Sequence, residues 1–198
     1  MKRLTERILE HAEQLPEGTP LTAKGLLRFG TRAGVDQALS RLAKRRELIR
    51  AGRGIYFLPI NGRFGTRSPL VGLAIKALAE QQGETIVPNG ASAANLLRLT
   101  RQMPVRYLYL TSGRSRTLMF GKQRVKLRHA PAWQLSYANR PAGKAIRALD
   151  WLGPEHAEKG LRKLKETLPS KEFEDLVAAA PRLPTWLARI ITRGATHA

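Results

Sequence analysis

A chain of 198 residues with 42% hydrophobic side chains can bury one large core or two small ones, so a globular and not a disordered protein is expected. Its longest apolar stretches, near 70–78 and 177–180, are far short of the ~20 residues a membrane span needs, and the absence of cysteine excludes disulfides and thiolate metal sites, as suits a cytoplasmic protein. With 35 Lys and Arg against 15 Asp and Glu the net charge is +20, so a polyanionic partner is expected.

In chain order, Leu4, Ile8, Leu9, Ala12 and Leu15 recur on one helical face until Pro16, Glu17 and Gly18 stop it. The first residues hold no continuous apolar run and no small-residue cleavage site, so no signal peptide is expected. Thr22 caps a short second helix containing Leu26, Leu27 and Phe29, which Gly30 ends. Val35, Ala38, Leu39 and Leu42 then form the stripe of a third helix, at helix-turn-helix spacing.

The side opposite that stripe carries Gln37, Ser40, Arg41 and Lys44, flanked by Arg45. Such a face can read base edges: Gln pairs bidentately with adenine and Arg with guanine, while Lys and Ser hold base or phosphate. Arg32 joins the candidate DNA contacts, and Asp36, four residues on, orients it or answers the helix dipole. Residues 48–50 and 55–58 read as strands joined by Ala51, Gly52, Arg53 and Gly54, whose glycines permit a tight hairpin. Arg50 and Arg53 place cations on this wing, within reach of a phosphate or the minor groove. A winged helix-turn-helix DNA-binding domain is therefore expected over 1–60; the fold also serves protein contact, but the polar face and the arginines favour DNA.

Residues 61–68 are rich in turn formers and cations and read as a linker. Beyond it the pattern gives a helix over 69–82, a strand at 85–87, a helix over 91–99 and strands at 105–111, 117–120 and 124–129. In the last strand Lys122, Arg124, Lys126 and Arg128 alternate with Gln123, Val125 and Leu127, so one sheet face is a cationic strip. Arg98, Arg101, Arg114 and Arg116 extend this second basic surface, and the only acids between 61 and 149 are Glu80 and Glu84. Its partner is a phosphate backbone or an acidic protein surface. By segment the net charge is +6 over 1–60, +11 over 61–140 and +3 over 141–198.

From residue 142 four helices follow, at 143–152, 154–167, 170–179 and 185–191, with Trp151, Leu161, Leu164, Leu168, Phe173, Leu176, Trp186 and Ile190 as the core of a small bundle. The whole chain is thus expected to be α+β: a winged helix-turn-helix, a linker, and a mixed α+β domain over 69–198 ending in a helical bundle. No catalysis, cofactor or metal is expected. There is no Gly-rich phosphate loop and no nucleophile beside a base, and the four histidines (His11, His129, His156, His197) have no ligand spacing. Asn89, Gly90, Ala91 and Ser92 precede a helix and could cradle an anion, but Ser92 reads as a cap.

The run from Val35 to Tyr56, with its AlaGlyArgGly turn, resembles the winged-helix start of the AbiEi-like antitoxins of type IV toxin–antitoxin (abortive infection) systems. The segment 88–104, followed by the strand through Tyr109 to Gly113, resembles the one these antitoxins carry after the linker. The resemblance covers residues 1 to about 130 and implies an N-terminal module that binds inverted repeats in its own promoter and a C-terminal domain that supplies antitoxicity. It also implies a nucleotidyltransferase-like toxin as partner, with which no stable complex need form; of a monomer binding the repeats and a dimer, the monomer is favoured. Gln37, Ser40, Arg41, Lys44 and the wing arginines carry over as DNA contacts. The alternative is a winged-helix transcription regulator or DNA-bending protein with no toxin partner.

Overall fold

The computed structural model describes residues 2–63, 65–103 and 105–196; Phe64 of the expected linker, Pro104 of the 88–104 run and His197 lie outside the described residues. The chain is mixed α+β with a helical C-terminal region. No helix among the described residues is long and apolar enough to cross a membrane.

The chain divides into two compact units, one of residues up to Glu84 together with Arg116–Lys126, the other of Thr85–Ser115 together with the residues from Leu127 on. In the first unit, α1 (Leu4–Glu13) buries Ile8 and Ala12, and α2 (Arg32–Lys44) buries Val35, Ala38, Leu39 and Leu42, the stripe read from the sequence. Thr31 caps α2 by accepting the Gly34 N–H at 3.2 Å. Between them Lys24–Phe29 winds as a 3₁₀ turn where an α-helix is expected. Leu26 is its one buried side chain, so little packing holds the segment in a regular α-helix, and short pieces of chain commonly wind as 3₁₀. Thr22 still serves the turn, its hydroxyl accepting the Gly25 N–H at 3.3 Å.

β1 (Ile49–Gly52) and β2 (Ile55–Phe57) form the expected antiparallel hairpin, with Gly54 at φ +70° in the turn. Leu21 bridges to Tyr56 through two backbone hydrogen bonds of 2.8 and 3.0 Å, which fastens the loop after α1 to the hairpin. The expected linker is structured. Ile60–Gly62 and Gly65–Arg67 form a second hairpin, β3 and β4, and Glu17 accepts both Arg67 guanidinium nitrogens (2.7 and 3.1 Å) and the Leu70 N–H (2.9 Å) at the start of α3 (Val71–Gln82). A bidentate carboxylate thus joins the loop after α1 to β4 and α3, so 61–68 belongs to the first unit and does not separate two domains.

β7 (Arg116–Phe120) also belongs to the first unit: Phe120 stacks on Phe57 with ring centroids 5.1 Å apart, and Leu118 lies 3.1 Å from where a Cβ on Gly52 would stand. The apolar side of the β1–β2 hairpin is covered in this way by a strand distant in sequence. In the second unit β5 (Ile86–Pro88) pairs antiparallel with β6 (Tyr107–Thr111), Val87 opposite Leu110, and β8 (Gln123–His129) begins in the first unit and ends in the second.

The second unit holds α4 (Gly90–Leu96), the short α5 (Ala132–Leu135), and a bundle of α6 (Pro141–Leu152), α7 (Pro154–Thr167), α8 (Ser170–Ala178) and α9 (Thr185–Thr196). Leu161, Leu164 and Leu176 are in its buried core, and Leu168, Phe173, Trp186 and Ile190 pack against it. Trp151, expected in the core, is 41% exposed. It instead lies over α4, where a Cβ on Gly90 would come within 2.5 Å of the Trp151 Cβ and of the Arg147 carbonyl oxygen. The cap of α4 is Asn89 and not Ser92: the Asn89 side chain accepts the Ser92 N–H at 3.1 Å, so one donor of the candidate anion cradle is already taken.

Arg147 is the largest fully buried side chain. Its guanidinium has no carboxylate partner among the described residues; it donates to the carbonyl oxygens of Gln134 (3.1 Å) and Ala138 (2.8 Å), and burial pulls its pKa down to about 10. Gln134 lies in α5 and Ala138 in the α5–α6 connection, in which Tyr137 and Ala138 are left-handed at φ +55° and +40°. Arg147 therefore holds a strained turn in place from inside the helix it leads to. Outside, Arg140 pairs with Glu172 (2.9 Å) and Asp175, and Glu172 also accepts the Ala142 N–H at 2.9 Å.

Arg147→Ala is expected to lower the unfolding free energy by about 3 kcal/mol, since it empties core volume and leaves two carbonyls unanswered; urea denaturation measures it. Glu172, through the Ala142 N–H first and Arg140 after it, and Glu17, through Arg67 first and the Leu70 N–H after it, both titrate below the ordinary 4.5. A carboxylate whose folded pKa is depressed adds stability that is complete above its unfolded value and disappears as pH falls through the folded one. Stability should therefore decline as pH drops below about 4.5, and Glu17→Gln with Glu172→Gln should shallow that decline in pH-dependent melting curves.

Candidate nucleic-acid interface

The burial of Val35, Ala38, Leu39 and Leu42 fixes the orientation of α2, so its other side must face outward. Gln37, Arg41, Lys44 and Arg45 are exposed there and Ser40 is half-buried. None of these four long side chains forms an ion pair among the described residues. Arg32, by contrast, is held by Asp36 at 2.9 Å, the i, i+4 pairing read from the sequence. Arg50 and Arg53 are exposed on the β1–β2 hairpin, Arg53 at its turn. All eight side chains proposed from the sequence for this surface lie in the first unit, on two adjacent stretches of chain.

The second set is less uniform. Val125 and Leu127 are buried and Arg124, Lys126 and Arg128 exposed, so β8 does present cations along one face, and Lys122 is exposed just before it. Arg116 does not join them. On β7 it shares the parity of the buried Leu118 and Phe120, and its guanidinium is bound by Glu84 (2.7 Å) and Gln82 (2.8 Å) with only 22% of its side chain exposed. The pleat sends it to the covered side of the strand. Arg98, Arg101 and Arg114 are exposed in the second unit, Arg98 with a left-handed backbone (φ +56°) and its carbonyl accepting Lys163 Nζ at 2.5 Å.

Redrawing the boundary also redistributes charge. The first unit has 19 basic and 8 acidic residues, a net +11, and the second 16 and 7, a net +9. The excess that sequence segments concentrate in 61–140 is thus shared, because 61–84 and 116–126 fold with the first unit.

One contributor escapes any local reading of the sequence. Arg3, ahead of α1, lines the same cleft as Gln37, Arg41 and Arg45. Leu4 beside it lies 3.6 Å from where a Cβ on Gly34 would stand, an ordinary packing distance, so the first turn of α1 sits against the start of α2. Helical spacing within α2 gives no hint of a cation supplied from another helix.

Residues 7–176 match DUF6088, a family of unknown function. The chain belongs to DUF6088. The match takes in the outward face of α2, the β1–β2 hairpin, β8 and the buried Arg147, and stops within α8, short of α9. No curated protein and no solved structure matches this DUF6088 chain.

Proposed function

We propose that the DUF6088 chain is a sequence-specific DNA-binding antitoxin that represses its own operon through inverted repeats and neutralises a nucleotidyltransferase-like toxin. On this reading the first unit opens with a winged helix-turn-helix: α1, the 3₁₀ turn and α2 are the helices, the β1–β2 hairpin is the wing and Leu21 supplies the bridging strand.

The observation that carries the DNA reading is the outward face of α2. A helix seated by four buried side chains holds Gln37, Arg41, Lys44 and Arg45 in solvent without counter-charges, beside a hairpin tipped by Arg53. Gln37 and Arg41 can each make two hydrogen bonds to one base, which is what discriminates bases in the major groove. Lys44, Arg50 and Arg53 supply phosphate contacts that set register, and Arg32, held by Asp36, borders the same helix. Lys122, Arg124, Lys126 and Arg128 add sequence-independent attraction. The antitoxin part and its partner rest on the resemblance to AbiEi-like antitoxins over residues 1 to about 130.

Footprinting the full chain on DNA upstream of its own gene tests the repressor reading: two protected repeats are expected, and no protection would overturn it. Arg41→Ala should cost ~1–3 kcal/mol on the protected sequence and relax base preference. Lys126→Ala with Arg128→Ala should weaken all duplexes alike and reduce the salt slope by ~0.9 for each phosphate that is no longer neutralised. An unchanged slope would assign β8 to a protein partner. For antitoxicity, co-expression of the full chain with the product of the adjacent gene should relieve growth arrest, and Arg41→Ala should keep that relief while abolishing repression. Truncation at residue 69 is unsuited to the purpose, since it would cut through the first unit.

A further inference from the structure

The cleft along α2 has a volume of about 370 Å³ and is lined by Arg3 and Leu4 at the start of α1 and by Gly34, Gln37, Arg41 and Arg45 along one side of α2. From Gly34 to Arg45 is three helical turns, about 16 Å, so the cleft runs nearly the length of the helix. Three guanidinium groups border it, and none of Arg3, Arg41 and Arg45 makes an ion pair among the described residues. Glu6, the acid nearest to Arg3 in sequence, accepts the Arg3 backbone N–H at its Oε2 (2.9 Å) and forms no ion pair with the Arg3 guanidinium among the described residues. Three like charges around a concave surface repel one another and leave a positive potential that an anion relieves. Arginine is the side chain best suited to a phosphate, whose oxygens match its planar fork.

Position on α2 defines the anion further. Counting 100° per residue from Gln37, Arg41 sits at +40°, Arg45 at +80° and Gly34 at +60°, so the cleft flanks the outward reading face on one side, with Arg41 on the border. A helix laid in a groove has a sugar–phosphate strand along each flank. We propose that this cleft is a phosphodiester site in which Arg3 and Arg45 clamp one backbone phosphate beside the bases that Gln37 and Arg41 contact. The inference rests on the DNA reading of α2 and adds a division of labour to it. Arg3 is a phosphate contact contributed by α1, and it ties the position of α1 to the register of α2 on the duplex. Leu4, packed on Gly34, sets the distance between the two helices and hence the span of the clamp.

Two measurements on the full chain test it. Inorganic phosphate titrated into isotope-labelled protein should give saturable shifts in the spectra of residues 3–5, 34–38, 41 and 45, and these should vanish in the Arg3→Ala, Arg45→Ala double variant; no saturable shift in the unmodified chain overturns the site, whatever duplex DNA does. Arg3 is exposed, so Arg3→Ala should melt as the parent does. In anisotropy titrations Arg3→Ala should weaken binding to every duplex by the same factor, about tenfold at most, and reduce the salt slope by ~0.9, with base preference unchanged. Affinity and slope equal to the parent's, or an altered base preference, would overturn the assignment of Arg3. Phosphate binding in the cleft with no duplex binding by the parent chain would sink the DNA reading and, with it, the backbone-phosphate assignment.

Discussion

Carboxylates are few in this chain, and where they sit decides what the cations can do. Glu17 binds Arg67 and the Leu70 N–H, Glu84 binds Arg116, Glu172 and Asp175 bind Arg140, and Asp36 binds Arg32. All but the last join segments far apart in sequence: Glu17 the loop after α1 to β4 and α3, Glu84 the end of α3 to β7, Glu172 and Asp175 the helix α8 to the start of α6. Partly shielded pairs that span long loops give more than scattered surface pairs, because each fixes several elements at once. The remaining cations on α2, the β1–β2 hairpin and β8 form no ion pair among the described residues, although Arg128 of β8 acts on the Asp150 carboxylate through its charge. A fold stitched by its few acids and an outward charge that is largely unpaired are two sides of one distribution.

That distribution explains why the first unit is built from two pieces of chain. The hairpin carrying Arg50 and Arg53 has an apolar reverse, with Ile55 and Phe57 buried. β7 supplies the cover through Leu118 and Phe120, and Glu84 secures β7 by its Arg116. The proposed wing is therefore held from behind by a segment over sixty residues further on, and the cationic β8 follows immediately after that support.

The regular elements were nearly all legible in the sequence, because their signals are local. The α2 stripe, the glycine turn of the β1–β2 hairpin, the alternation in β8 and the proline-separated helices of the tail each depend on residues within a few positions of one another. What was not legible depends on partners distant in sequence. The linker reading of 61–68 failed because turn-rich composition cannot reveal that Glu17 anchors Arg67. Trp151 reads as core by helical spacing, yet α4 needs a cover for Gly90 and takes it. Arg147 looks like one more surface cation, and nothing nearby announces the strained turn it supports. Arg116 fits the basic strip by position but falls on the wrong side of its strand. Of the candidate site, the α2 face and hairpin arginines were found from the sequence, and Arg3 could not be, since it reaches the cleft only through the packing of Leu4 on Gly34.

The central claim is that α2 reads DNA sequence, and it is tested most directly by selecting duplexes from a randomised pool with the full-length chain and sequencing what is retained. The account predicts enrichment of a short motif, recurring as paired repeats, whose information disappears when Gln37 and Arg41 are both alanine. Retention of the pool without any enriched motif would contradict it, leaving a chain that holds nucleic acid by charge alone.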